Sequence, residues 1–407
     1  MAFESRADVW IAGARAHRVY SSHLDNATLI TVVHKNDFPH KLGGTRVVTR
    51  GTVEEAFHLA RGMSEKCLVC QVPLDGLKTL IIVPDEVPRK EIVASLLARH
   101  MRNCIQDDPG LIFGPDMGTP ENVMVETLGL LGGSFENITG LSREMGGLDI
   151  DRNGFTALGV STAIKHIVPE SKGVRVSIQG YGEVGSSLAA ILYEMGFAIR
   201  TISDISGVLI QREGIDTTLL HTLYSERRDD CLIKYARQTD AQFVSDPQKL
   251  FEQRTDLFIP AARTSVLSLK SEMAITRHEN PAVRDIESML RQTGVRYIVE
   301  VANHPLTFAA EDFAERHGVV VLPDFIINCG GMIGCYTEWK FRKELLSGVR
   351  KYEDAVHECK LRIRERVNSN LASVLRNRGS GLRSRADVLV RRSRAMLLSR
   401  PVTREHV

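Results

Sequence analysis

The sequence predicts an α/β protein built from two such domains and a helical end, and three observations carry this. A strand, a glycine-rich turn and an amphipathic helix follow one another from Val174 to Gly196. Short apolar runs of strand type then alternate with helical patterns up to Pro323, as a doubly wound parallel sheet requires. Strands and helices also alternate ahead of that series, and Gly-rich residues 130–154 separate the two. The expected domains are therefore residues 1–140, a substrate-binding and oligomerisation domain, and 150–335. A C-terminal helical segment, 340–407, is expected to return and pack on the first.

The second domain opens on a dinucleotide fingerprint. Val174, Val176 and Ile178 alternate as a strand, and Gly180, Gly182 and Gly185 complete G-x-G-x-x-G. Gly180 suits the tight turn, Gly182 lets backbone reach a pyrophosphate, and Gly185 lets helix and strand pack closely. The helix begins at Glu183 and Val184, and its free N–H groups and positive dipole end face the phosphates. A second strand, 198–202, leads to Asp204, nineteen residues beyond Gly185. A carboxylate there accepts the ribose hydroxyls and favours NAD over NADP. This is the layout of a Rossmann-type NAD-binding domain. Glu183 would oppose the phosphates, and is expected to turn out to solvent.

Taken in order, residues 27–33 and the stretch around Val47 read as strands, with HKLGGTR between them. Thr52 caps a helix from Val53 to about Met63, with Glu55 near the capping-box position. Residues 67–72 read as a strand, PLDGLK as a turn carrying Lys78, and 79–83 as a further strand. Residues 88–104 form an amphipathic helix, followed by a Gly/Pro loop bearing Asp116. The stretch 130–154 reads as linker. Beyond the fingerprint, strands are expected at 241–244, 256–260, 295–302 and 319–323. Loops at their carboxyl ends hold Ala261, Asn303 and Asn328, where a coenzyme should lie. From Trp339 the pattern turns helical.

Composition bounds the function. A net charge of +2 over 407 residues gives no general attraction for nucleic acid or membrane. The last 32 residues carry a local +7, which reads as a solvated helical face; the want of interleaved aromatics argues against nucleic-acid binding. No apolar run reaches membrane-spanning length, and the start lacks a signal-peptide pattern, so the expected location is cytoplasmic. Seven scattered cysteines suggest free thiols. Cys67 and Cys70 form C-x-x-C without the βαβ context of a redox pair, and no second pair supports a metal site.

Eight blocks in order resemble the glutamate/leucine/phenylalanine/valine dehydrogenases. They are Gly43-Gly44-Thr45-Arg46, Gly62-Met63-x-x-Lys66, Gly76-x-Lys78-Thr79, Pro115-Asp116-x-Gly118-Thr119, Thr156-Ala157-x-Gly159-Val160, the fingerprint, Val299-Glu300-x-Ala302-Asn303 and Pro323-Asp324-x-x-x-Asn328-x-Gly330-Gly331. The resemblance covers roughly residues 27–340. It implies the interconversion of an L-amino acid and its 2-oxo acid, with hydride passing to NAD(P) and ammonia leaving, in a homo-oligomer. Lys66 then matches the lysine for the substrate α-carboxylate, Lys78 the catalytic lysine and Asp116 the proton-shuttling carboxylate. Two neighbouring ammonium groups would depress each other's pKa and let Lys78 work near neutrality. Gly43, Gly44 and Asn328 join the substrate set, and Thr156, Ala261 and Asn303 the coenzyme set.

Two departures matter. The family's G-G-x-K turn is here Asp75-Gly76-Leu77-Lys78, which adds a charge and bulk beside the catalytic lysine. The Lys and Ser by which glutamate enzymes meet the γ-carboxylate align with Leu42 and Cys335. An apolar or aromatic amino acid therefore fits better than glutamate, although Lys41 is adjacent and glutamate is the runner-up. A catalytically idle NAD-binding interaction protein is the alternative of another class.

Overall fold

The computed structural model describes residues 2–11, 13–83, 90–133, 135–376 and 381–399. The chain divides into two compact units. One holds the chain up to Asn153, then Gly331–Arg362 and the residues from Val390 on; the other holds Gly154–Gly330 and Ile363–Leu389. The helical end is thus not a separate body, nor does all of it belong with the first unit. Its 25-residue helix Tyr352–Arg376 buries Ala355, Cys359, Ile363, Val367 and Leu371, and membership changes between Arg362 and Ile363. Apolar spacing announces a helix but not what its face will be buried against.

The first unit is built on a six-stranded sheet. Its strands run, edge to edge, Ala2–Ile11, Ala14–Leu24, Ala27–Val33, Asp75–Ile82, Lys41–Val48 and Leu111–Gly114. The first three and Asp75–Ile82 pair antiparallel, and the last three pair parallel. Helix Val53–Val69 covers one face, where Ala56, Phe57 and Ala60 pack on Ile30, Val32 and Leu80. Helix Lys90–Asp107 covers the other, with Leu97 and Met101 among Leu77, Ile81 and Phe113.

Several expectations change here. Ahead of the region the resemblance covers, strands Ala2–Ile11 and Ala14–Leu24 pair as a long antiparallel hairpin. The Val53 helix, capped by the Thr52 hydroxyl on the Glu55 N–H at 3.1 Å, continues through Cys67 to Val69. The apolar run 67–72 is too short to be told from a buried helix end by pattern alone. Lys78 consequently lies within a strand rather than a turn, and Gly43–Gly44 also lie inside a strand. Residues 88–89, the expected start of the second helix, fall outside the described residues. The supposed linker is packed structure: Asn137–Leu141 and Gly146–Leu148 are buried around short 3₁₀ turns.

The second unit is a seven-stranded sheet, ordered Gln242–Val244, Val208–Ile210, Ala198–Ser203, Arg175–Gln179, Leu257–Pro260, Tyr297–Val299 and Val320–Leu322. The last five pair parallel, as a doubly wound fold requires. Val208–Ile210, too short to stand out in the sequence, and Gln242–Val244 add an antiparallel edge. Gly159 on helix Phe155–Ile167 brings that helix onto neighbouring backbone. A side chain there would lie 2.6 Å from the Ile327 carbonyl and 3.5 Å from Ile363. No described helix is long and apolar enough to cross a membrane.

Candidate active site

In the first unit, glycines bring charged side chains together. A Cβ on Gly76 would lie 2.0 Å from the Ala60 carbonyl, so only glycine lets strand Asp75–Ile82 approach the Val53–Val69 helix this closely. The Ser64 hydroxyl locks that approach by accepting the Gly76 N–H at 2.8 Å. The contact sets Lys66, in the last helical turn, near Lys78, two residues beyond Gly76. A Cβ on Gly43 would collide with the Leu77 carbonyl at 1.6 Å, and one on Gly44 would press on the Asp116 carboxylate at 3.0 Å.

Asp116 is held from several sides. Its backbone N–H donates to the Thr119 hydroxyl at 3.0 Å, and that hydroxyl donates to the Thr45 carbonyl at 2.5 Å. Its carboxylate pairs directly with the Lys78 ammonium and receives the Arg46 guanidinium at 3.3 Å. Burial, opposed by Asp116 and aided by Arg46, brings the Lys78 ammonium down to about 8. The weakest of these influences is Lys66, so burial and Arg46, rather than two opposed lysines, account for most of the lowering. Burial alone would raise Asp116, but Lys78 and Arg46 hold it down to about 2. The arrangement therefore couples a fixed carboxylate to an amine that changes charge near neutral pH.

The second unit shows a dinucleotide cradle. Gly185 is forced: a Cβ would sit 2.0 Å from the Gly180 carbonyl. Gly180 has a φ of 97° and leaves Ala262, after Leu257–Pro260, only 3.0 Å from where a Cβ would be. Beyond Gly182 there is open space at the N-terminus of helix Glu183–Glu194, the kind of helix end that favours an anion. Glu183 does turn outward and pairs with the exposed Arg228 at 2.5 Å. Val184 follows it in the first turn. Asp204 follows strand Ala198–Ser203, and its Oδ1 accepts the Ser206 N–H at 2.7 Å and hydroxyl at 2.6 Å. Ala261 directly follows Leu257–Pro260, and its N–H donates to Gln179 at 2.8 Å; Thr156 sits in the first turn of its helix. Asn328 donates to the Val301 carbonyl at 3.0 Å and to the Asn303 amide oxygen at 3.3 Å, so these two predicted residues meet.

A lysine–carboxylate pair beside a glycine-laced strand, in a chain that also carries this cradle, limits the families that fit. The sequence profile described as Glutamate/Leucine/Phenylalanine/Valine dehydrogenase matches residues 146–388. The NADP-specific glutamate dehydrogenase of Saccharolobus shibatae is 31% identical over 329 residues, 78% of this chain and 71% of the relative. The chain belongs to this dehydrogenase family. A Synechocystis enzyme of the same name is 29% identical, over 78% of this chain and 73% of that one. Among solved structures, the hetero-hexameric glutamate dehydrogenase of Thermus thermophilus shares the fold with a TM-score of 0.75 at 21% identity, covering 97% of this chain and 88% of that one. The family is one of amino-acid dehydrogenases that use a nicotinamide dinucleotide.

Within this dehydrogenase, the strand carrying Leu42 lies next to the strand whose Gly114 approaches Cys335. Leu42, Gly44 and Arg46 occupy alternate positions of one strand, and Gly44 pairs with Gly114 on the next. A Cβ on Gly114 would lie 3.1 Å from the Thr139 hydroxyl and 3.8 Å from the Cys335 sulfur. Leu42 and Cys335 are both buried, and burial pushes the Cys335 thiol up to about 12. Lys41 is committed elsewhere: its buried ammonium pairs with Asp108 at 3.1 Å and donates to the Pro39 carbonyl at 3.3 Å. Asp75 is also engaged away from Lys78, with its carboxylate accepting the Phe38 N–H at 2.8 Å, and burial raises it to about 6. Leu77 packs in the hydrophobic core. Neither departure in the catalytic-lysine segment therefore adds a side chain to the Lys78–Asp116 pair.

Sequence reasoning assigned no role to Arg46, Gly114, Thr139 or Glu338. Arg46 stands in a quoted block and could have been read as a partner for Asp116. Gly114 and Thr139 lie in stretches read as loop and linker, and Glu338 just ahead of the helical pattern from Trp339, where nothing local marks them.

Proposed function

We propose that the protein catalyses the reversible NAD-dependent oxidative deamination of an apolar or aromatic L-amino acid to its 2-oxo acid, with release of ammonia. The observation that carries the substrate class is the Gly44–Gly114 patch. Leu42 and Cys335 stand there in place of the cation and hydroxyl that would receive a side-chain carboxylate, and Lys41 is already paired. An unpaired carboxylate in such a place costs roughly several kcal/mol, whereas an apolar side chain gains from burial.

The bound coenzyme supplies the acceptor for the hydride that leaves the substrate Cα. Lys66 holds the α-carboxylate. Lys78, as the neutral amine, takes a proton from the water that adds to the imino carbon, and then as ammonium polarises the oxygen so formed. Asp116 carries protons between that water and the departing amine. Deamination should therefore gain rate as pH rises through the Lys78 value of about 8. Asp204 favours NAD because its charge repels a 2′-phosphate. The relatives' names make glutamate and NADP the competing reading. The working assembly is a homo-oligomer, and the location cytoplasmic.

The pocket assignment is tested by Leu42→Lys combined with Cys335→Ser. A charge-assisted hydrogen bond contributes about 1.5–3 kcal/mol, so kcat/KM for glutamate should rise about tenfold to a hundredfold. The same lysine, unpaired against leucine, should lower kcat/KM for that substrate. Unchanged ratios in a folded double variant would remove Leu42 and Cys335 from the pocket.

A further inference from the structure

The second unit contains a buried charge cluster that the chemistry above does not use. Arg383, on helix Leu382–Leu398, inserts its guanidinium among Glu300, Glu311 and Asp324. It meets Glu311 with two hydrogen bonds, of 2.7 and 2.9 Å, Glu300 at 3.1 Å and Asp324 at 3.3 Å. The three carboxylate side chains are no more than 4% exposed and Arg383 is 14% exposed, with Phe308 and Phe325 against the guanidinium. The turn before the helix is fastened too, because the Leu382 N–H donates to Glu315 at 2.8 Å.

Two of these carboxylates organise backbone as well as charge. Glu300 accepts the Leu306 N–H at 3.3 Å and the Asp324 N–H at 3.2 Å, and Asp324 accepts the His304 N–H at 3.2 Å. They tie segment 300–306 to segment 324–328. Those segments carry Asn303 and Asn328, which hydrogen-bond to each other at the carboxyl end of strand Tyr297–Val299. Coenzymes bind at the carboxyl ends of such parallel strands. Three carboxylates this close repel one another, and Arg383 is the cation that pairs with all three.

We infer that Arg383 is a positioning residue for the coenzyme: through Glu300 and Asp324 it holds the Asn303 and Asn328 segments in the arrangement that receives the nicotinamide end of the dinucleotide. This rests on reading the second unit as the dinucleotide-binding half. Lysine keeps the charge but not the fork that reaches three carboxylates, so Arg383→Lys is the informative change.

The test measures NADH binding by fluorescence in wild type, Arg383→Lys and Arg383→Ala, with thermal unfolding of the coenzyme-free proteins alongside. In Arg383→Lys the Kd for NADH should rise about tenfold. The pH midpoint of kcat/KM should stay put, because Lys66, Lys78 and Asp116 are untouched. Arg383→Ala should bind more weakly still and recover in part when guanidinium is added at low concentration. If Arg383→Lys binds NADH as tightly as wild type while unfolding at a lower temperature, the role is structural only and the inference fails. If Arg383→Ala does not fold, Asp324→Asn, which weakens one tether, should still raise the Kd, and an unchanged value would overturn the inference. A wild type that binds neither NADH nor NADPH would instead overturn the reading of the second unit.

Discussion

Lys78→Ala is expected to lower kcat/KM for deamination by about 10²–10⁴-fold, with NADH binding retained. Lys78 is buried, paired with Asp116 and brought down to about 8, which makes it the group in the cluster able to exchange a proton at working pH. Asp116→Asn should cost a similar factor by a different route. It removes the carboxylate that raises Lys78, so the amine's pKa should fall and any residual pH profile should move to lower pH. Stopped-flow measurement of NADH formation across pH 6–10 in the three proteins checks both statements. Full activity in Lys78→Ala would refute the role outright.

The largest expected effect on stability is at Glu338. This carboxylate is fully buried on helix Gly330–Leu346, three residues after Cys335. It accepts the Gly140 N–H at 2.9 Å and those of Leu141 and Leu148 at 3.2 Å, and pairs with buried Arg342 at 2.6 Å. Arg342 in turn donates to the Ile138 carbonyl at 2.8 Å and to Phe135. The pair fastens residues 135–148, and Thr139 with them, to the helix bearing Cys335. Glu338→Ala strands a buried guanidinium and three backbone donors, and should cost about 3–5 kcal/mol. Glu338→Gln keeps the shape and should cost less. A urea midpoint for Glu338→Ala equal to that of wild type would contradict this account.

How much of this is legible in the sequence varies by element. The second unit reads clearly because its signals are local: three glycines, an alternating strand and an acid fall within about 30 residues. The first unit reads clearly only as motif blocks. Its local structure misleads, since Lys78 and Gly43–Gly44 sit in strands where the glycines and PLDGLK suggest turns. Those glycines answer to close approaches, Gly76 to Ala60 and Gly43 to Leu77, and such neighbours are invisible along the chain. The stretch 130–154 looks like linker because its polar backbone has no local partner. Glu338, about 190 residues away, supplies part of what it needs. Arg383 is one arginine among many in a basic tail, and only the fold reveals its three carboxylates.

The central claim, that the Leu42–Cys335 patch makes this dehydrogenase select an apolar or aromatic side chain with NAD, is tested most directly on the unaltered protein. The measurement is kcat/KM for leucine, valine, phenylalanine, tryptophan and glutamate, each with NAD and with NADP, followed by nicotinamide absorbance. The expected result is at least one apolar or aromatic substrate turned over well above glutamate, with NAD preferred about tenfold or more, equivalent to about 1.4 kcal/mol. A preference for glutamate with NADP would contradict both halves of the claim.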